Sequence, residues 1–129
     1  MSSHKINHKK FGRRSKPRKA LFRAIMLSII EHDSITTTLA KAKAVRPILE
    51  RFLTRIRKAP ALLDTYRIAR SELGLIASQE HAQKVVTKLQ KLGEYFKDRP
   101  GGYLQIFKDG LRLGDNAPMA VIQFVTNKA

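Results

Sequence analysis

The sequence predicts an α+β fold: about four helices packed on a small three-stranded mixed sheet, with a basic N-terminal extension in front. Three observations carry that prediction. Apolar residues recur at helical spacing in four segments between residues 15 and 93. Strand-like segments lie at 34–38, which is β-branched, and at 103–108 and 119–125, which carry apolar residues on both faces around a Gly- and Pro-rich connector. Charge is lopsided: residues 1–58 hold 16 Lys/Arg and three acids, net +13, and residues 59–129 hold ten and seven, net +3. A chain of 129 residues makes one domain, divided into a basic extension over 1–15 and a single folded domain over 16–129. At 43% hydrophobic it has material for a core. At +16 it repels itself, so its natural partner is a polyanion.

The absence of cysteine excludes a disulfide framework and a thiolate zinc site, and suits a reducing compartment. The longest apolar run is far below the roughly 20 residues that span a bilayer. No apolar signal core opens the chain, and its first residues lack the Ser- and Arg-rich amphipathic pattern of an organellar targeting peptide.

The extension holds His4, Lys5, His8, Lys9, Lys10, Arg13 and Arg14, and the first acid of the chain is Glu31. Only Ile6 and Phe11 in it could touch a core, so it reads as an arm that a partner orders. Ser15 as cap and Pro17 in the first turn start a helix whose Leu21, Phe22, Ile25, Met26, Ile29 and Ile30 repeat at helical spacing. Ser34–Thr38 is a strand, and Thr38 caps a second helix with Val45, Ile48, Leu49, Phe52, Leu53 and Ile56 on one stripe. Pro47 inside that stripe predicts a kink, or a short turn over 39–45 before a fresh helix. A third helix runs over 64–73 from an Asp64 cap to Gly74. A fourth starts at a Ser78 cap, buries Ala82, Val85, Val86, Leu89 and Leu92, and frays near Gly93. Tyr103–Lys108 and Met119–Val125 form a hairpin with a long loop containing Gly110 and Gly114-Asp115-Asn116.

No catalytic constellation is present: no phosphate-cradling glycine loop, no His-Glu-x-x-His and no nucleophile elbow. His4 and His8 lack further ligands, Asp109 and Asp115 lack calcium-loop spacing, and His32 suits a helix end. The sequence therefore predicts no enzyme, no cofactor, no metal and no small-molecule substrate. Among binding modes, no helix-turn-helix, zinc module or basic zipper is visible. A membrane-surface helix over 45–58 lacks Trp and has companions to pack against. A folded core with a basic arm fits structured RNA best.

Two stretches go beyond composition. Ile35-Thr36-Thr37-Thr38-Leu39-Ala40-Lys41-Ala42-Lys43 closely resembles the Ile-x-Thr-Thr-Leu-x-Lys-Ala-Lys motif of the bacterial-type large-subunit ribosomal protein L17 family. Arg99-Pro100-Gly101-Gly102-Tyr103 and Gly114-Asp115-Asn116-Ala117-Pro118-Met119-Ala120 resemble that family's C-terminal signature. Order and spacing agree across nearly the whole chain. Departures are local: Pro17 stands at a usual His, Ala24 at a usual Asn, and Leu104-Gln105 at a usual Thr-Arg.

The resemblance implies a two-layer α/β domain and a structural role on large-subunit (23S-like) rRNA near the peptide tunnel exit, beside neighbouring large-subunit proteins. It implies a cytoplasmic bacterial ribosome; an organellar ribosome is compatible with the same residues. Carried over, the RNA contacts are His4, Lys5, Lys9, Lys10, Arg13, Arg14, Lys16, Arg18, Lys19 and Arg23, then Lys41, Lys43 and Arg46. In the C-terminal signature they are Arg99, Tyr103, Lys108, Arg112 and Asn116. Lys and Arg would meet phosphates, and Tyr103 would either stack on a base or pack in the core. The rival reading is an architectural nucleic-acid-binding protein, which would normally dimerise and place its charges symmetrically.

Overall fold

The apolar stripes read from the sequence become helices that share one core with a small sheet. The computed structural model describes residues 9–59, 61–74 and 79–125. Along the chain run α1 (Ser15–His32), β1 (Ser34–Thr38), α2 (Leu39–Lys58), α3 (Leu62–Leu73), α4 (Gln79–Tyr95), β2 (Leu104–Leu111) and β3 (Pro118–Phe124). The strand order is β1-β3-β2, and both pairings are antiparallel. The expected mixed sheet is therefore corrected. β1 runs in the same direction as β2, but β3 lies between them, and among the described residues no parallel pair forms.

Helix α2 touches every other element. Of its predicted stripe, Val45, Leu49, Phe52, Leu53 and Ile56 are buried and Ala42 joins them, whereas Ile48, like Leu92 of α4, is only half-buried at the edge of the core. Around it close Ile25, Met26, Ile29 and Ile30 of α1, and Val85, Val86 and Leu89 of α4. From the sheet come Leu104, Ala120, Ile122 and Phe124, with Ile35 and Ile106 flanking Ile122 in register. The sheet thus buries one face against the helices and turns the Thr36–Val121–Phe107 row outward.

Several local expectations change. Ser15 is the first residue of α1 and not its cap; Arg14 holds the cap position without a side-chain bond. Ala61, not Asp64, precedes α3, and Asp64 lies in its first turn. The Ser78 cap lies outside the described residues. Thr38 does cap α2, accepting from the Lys41 N–H at 3.4 Å. Helix α2 is a single helix through Pro47, which is exposed, so the Lys43 carbonyl that loses its donor faces water. Helix α4 continues past Gly93 to Tyr95. A β-carbon at Gly93 would lie 3.5 Å from both Ile56 Cγ2 and the Ile56 carbonyl, an ordinary packing distance, so this glycine marks where α4 crosses α2 without being demanded by it.

The arm also docks earlier than read. Residues 9–14 are not simply extended: Arg13 N–H donates to the Lys10 carbonyl at 3.1 Å, closing a turn. Phe11 then meets Phe22 edge to face, with ring centroids 5.9 Å apart.

Candidate nucleic-acid interface

A groove of about 1250 Å³ lies between the N-terminal half of α1 and one face of α2. Its apolar floor is Phe22, Ala40, Ala44, Pro47 and Ile48. Small residues at 40, 44 and 47 fall on one side of α2, and the missing side-chain volume there leaves the channel open. Six cations line it: Lys9, Arg18 and Lys19 on one side, Lys43, Arg51 and Arg55 on α2. The acid in the lining, Glu50, faces Arg46 at 3.5 Å. Arg55 also reaches Glu72 of α3. An apolar floor between cationic walls has the chemistry that a phosphodiester backbone requires, cations for phosphates and an apolar surface for sugars or bases. Helix α1 adds to this field, because its first turn holds no acid.

Of the residues singled out from sequence, Lys9, Arg18, Lys19 and Lys43 come together in this groove. Lys10, Arg13, Arg14 and Lys16 are exposed on the segment leading into α1 and around its start. His4 and Lys5 lie outside the described residues. Lys41 and Arg46 do not line the groove, and Arg46 spends its charge on Glu50. Arg23 is drawn to α3, where its Nε–H donates to the Glu72 carbonyl at 3.2 Å above Gly74. Arg99 Nη1 lies 3.5 Å from the Gly102 carbonyl and so braces its own turn.

Tyr103 requires correction. It is 0% exposed, beneath the groove floor, with Phe96 at 5.0 Å and its hydroxyl 3.4 Å from Thr54 Oγ1. No face of its ring is open to a base; it is a core tyrosine. Lys108, Arg112 and Asn116 lie on the hairpin, outside the groove. There Asn116 serves the turn with φ 54°, and Arg112 is held by Asp115 through two hydrogen bonds of 3.1 and 2.6 Å.

Sequence reasoning missed Arg51 and Arg55. The signal was present: Lys43, Pro47, Arg51 and Arg55 are spaced by four residues, which places them along one slowly turning face of α2.

Among the described residues, no group of His, Asp and Glu could hold a metal ion, and no helix is long and apolar enough to cross a membrane. The family model described as ribosomal protein L17 matches residues 21–125. The chain is 44% identical over 126 residues to the large ribosomal subunit protein bL17 of Thermomicrobium roseum, covering 95% of this chain and 97% of that one. It is 41% identical over 123 residues to bL17 of Neorickettsia sennetsu, covering 95% and 98%. With bL17 of Rhodopseudomonas palustris it shares 42% over 118 residues, covering 92% and 82%. A match that spans both helical and sheet layers, at this identity and coverage, leaves one conclusion: the chain belongs to the ribosomal protein L17 family.

Proposed function

We propose that the protein is a structural constituent of the large ribosomal subunit that holds large-subunit rRNA in the α1–α2 groove, close to the exit of the peptide tunnel. Family membership makes it a structural ribosomal protein and not an enzyme. The observation that carries the RNA reading is the groove itself, an apolar floor lined by six cations, of which Arg55 is shared with Glu72, and by one acid, Glu50, that is paired with Arg46. The exit-tunnel placement rests on the family resemblance of the two motifs. The bacterial names of the relatives support a ribosome in the cytoplasm of a bacterium.

The test is a variant that removes four groove charges, Arg18→Gln, Lys19→Gln, Lys43→Gln and Arg51→Gln. Each phosphate neutralised adds about 0.7–0.9 to the log–log salt slope of binding, so the slope to large-subunit rRNA is expected to flatten by about 3. The thermal midpoint stays near that of the parent, since these side chains are not part of the core. An unchanged slope places the RNA elsewhere and refutes the groove.

A further inference from the structure

We propose that the α1–α2 groove takes an unpaired strand of RNA, and that Phe22 is the platform on which one of its bases stacks. This deepens the groove reading above and rests on it. The cations of the walls account for a phosphate backbone in any form. They do not account for the floor, where Phe22, Pro47 and Ile48 offer an apolar surface. A duplex presents phosphates, sugars and base edges, and keeps the faces of its bases stacked inside. An unpaired strand turns those faces outward, and each can lie on an aromatic ring whatever its sequence.

Phe22 is packed against the core and also lines the groove, so its ring has a backing. Phe11 braces it edge to face, with the ring planes at 73° and the centroids 5.9 Å apart. The brace is held under strain. Phe11 has φ 54°, a left-handed conformation that a bulky side chain keeps only where its surroundings fix it. Here they do: the Arg13 N–H closes the turn onto the Lys10 carbonyl, and Gly12 follows at φ 61°. A strained aromatic that fixes a second aromatic beside a cationic groove is a pre-organised platform.

The charges stand where a stacked nucleotide needs them. Arg18 and Lys19 lie four and three residues before Phe22, on the same side of α1, and both line the groove. Lys43 faces them from α2. The first eight residues of the chain are a poor occupant, because they carry His4, Lys5 and His8 and no acid, and the walls repel them.

The test uses the full chain and a short U-rich RNA with one 5-iodouridine, either single-stranded or annealed to its complement. Light joins iodouracil to an aromatic ring on which it is stacked, and mass spectrometry of the digest names the residue. The expected product is a crosslink at Phe22 from the single strand and little from the duplex. Charge alone favours the duplex, whose phosphates are denser. Tighter binding of the single strand at equal salt is therefore the signature of stacking. Phe22→Leu, which keeps an apolar side chain against the core, is expected to weaken single-strand binding about tenfold. It is expected to leave the salt slope and duplex binding unchanged. Phe11→Leu is expected to lower the crosslink yield at Phe22, again with the slope intact. A crosslink outside the groove, equal crosslinking from the duplex, or parental affinity in Phe22→Leu would each overturn the proposal. The groove reading fails instead on the slope of the four-charge variant, so the two fail separately.

Discussion

Asp115 shows how much of the hairpin tip depends on one side chain. The hydrogen bond from the Arg112 guanidinium, then that from the Ala117 N–H, and the Arg112 charge lower its pKa from 3.8 to about 2. A carboxylate depressed in the folded state contributes stability that is complete above its unfolded pKa and is lost as pH falls through the folded value. The clamp is therefore expected to open between about pH 4 and pH 2. The Asp115 carboxyl resonance is expected to titrate near 2 in the parent and near the ordinary carboxylate value in Arg112→Gln; a parent midpoint near 4 contradicts the clamp. Gly114 makes the second case. Its φ is 106°, and a β-carbon there would meet nothing within 4 Å, so substitution strains only the backbone. Gly114→Val is expected to cost about 1–3 kcal/mol in urea unfolding, and an unmoved midpoint would deny the constraint. The Gly-Asp-Asn turn was legible in sequence because a positive φ is a local demand. The Arg112–Asp115 pair was not, since it exists only once the hairpin closes. Tyr103 escaped for a different reason: an aromatic ring suits a core and a base stack equally well, and only its burial decides.

The helices were the most legible elements. A stripe at 3.6-residue period names its own buried face, and the α2 stripe is buried where it was read except at Ile48, which lies at its edge. Phe52→Ala in α2 is expected to cost about 3–5 kcal/mol, because Phe52 is 2% exposed among core residues of both layers. A cost within a few tenths of a kcal/mol would mean that this face does not pack. What the sequence concealed at this scale depends on distant partners. Gly93 reads as the end of a helix that in fact packs on to Tyr95, and strand direction depends on which strand lies in the middle. The arm is an intermediate case. Its charge was legible, but the Phe11–Phe22 contact moves the boundary of what the core needs back to residue 11. Deleting residues 1–8 is expected to leave the thermal midpoint unchanged, whereas Phe11→Ala lowers stability by about 1 kcal/mol. Equal effects of the two would place that boundary elsewhere.

Across the whole molecule, charge is unevenly spread. Cations gather where α1 and α2 leave a channel, and the net-neutral hairpin displays exposed leucines. Composition alone points to a polyanion partner, because +16 on 129 residues calls for neutralising. It did not reveal the groove. Lys9, Arg18, Lys43 and Arg51 become neighbours only through the packing of α1 against α2. The family motif includes Lys43, which lines the candidate groove, whereas the C-terminal signature lies on a hairpin whose charges cancel. One measurement separates these surfaces directly. The chain has no cysteine, so a single one carries an iron–EDTA tether without competition. With Arg51→Cys tethered in the groove, the account predicts strong hydroxyl-radical cleavage of large-subunit rRNA over a short contiguous stretch, and with Leu113→Cys little or none. Strong cleavage from position 113 and none from position 51 would contradict it.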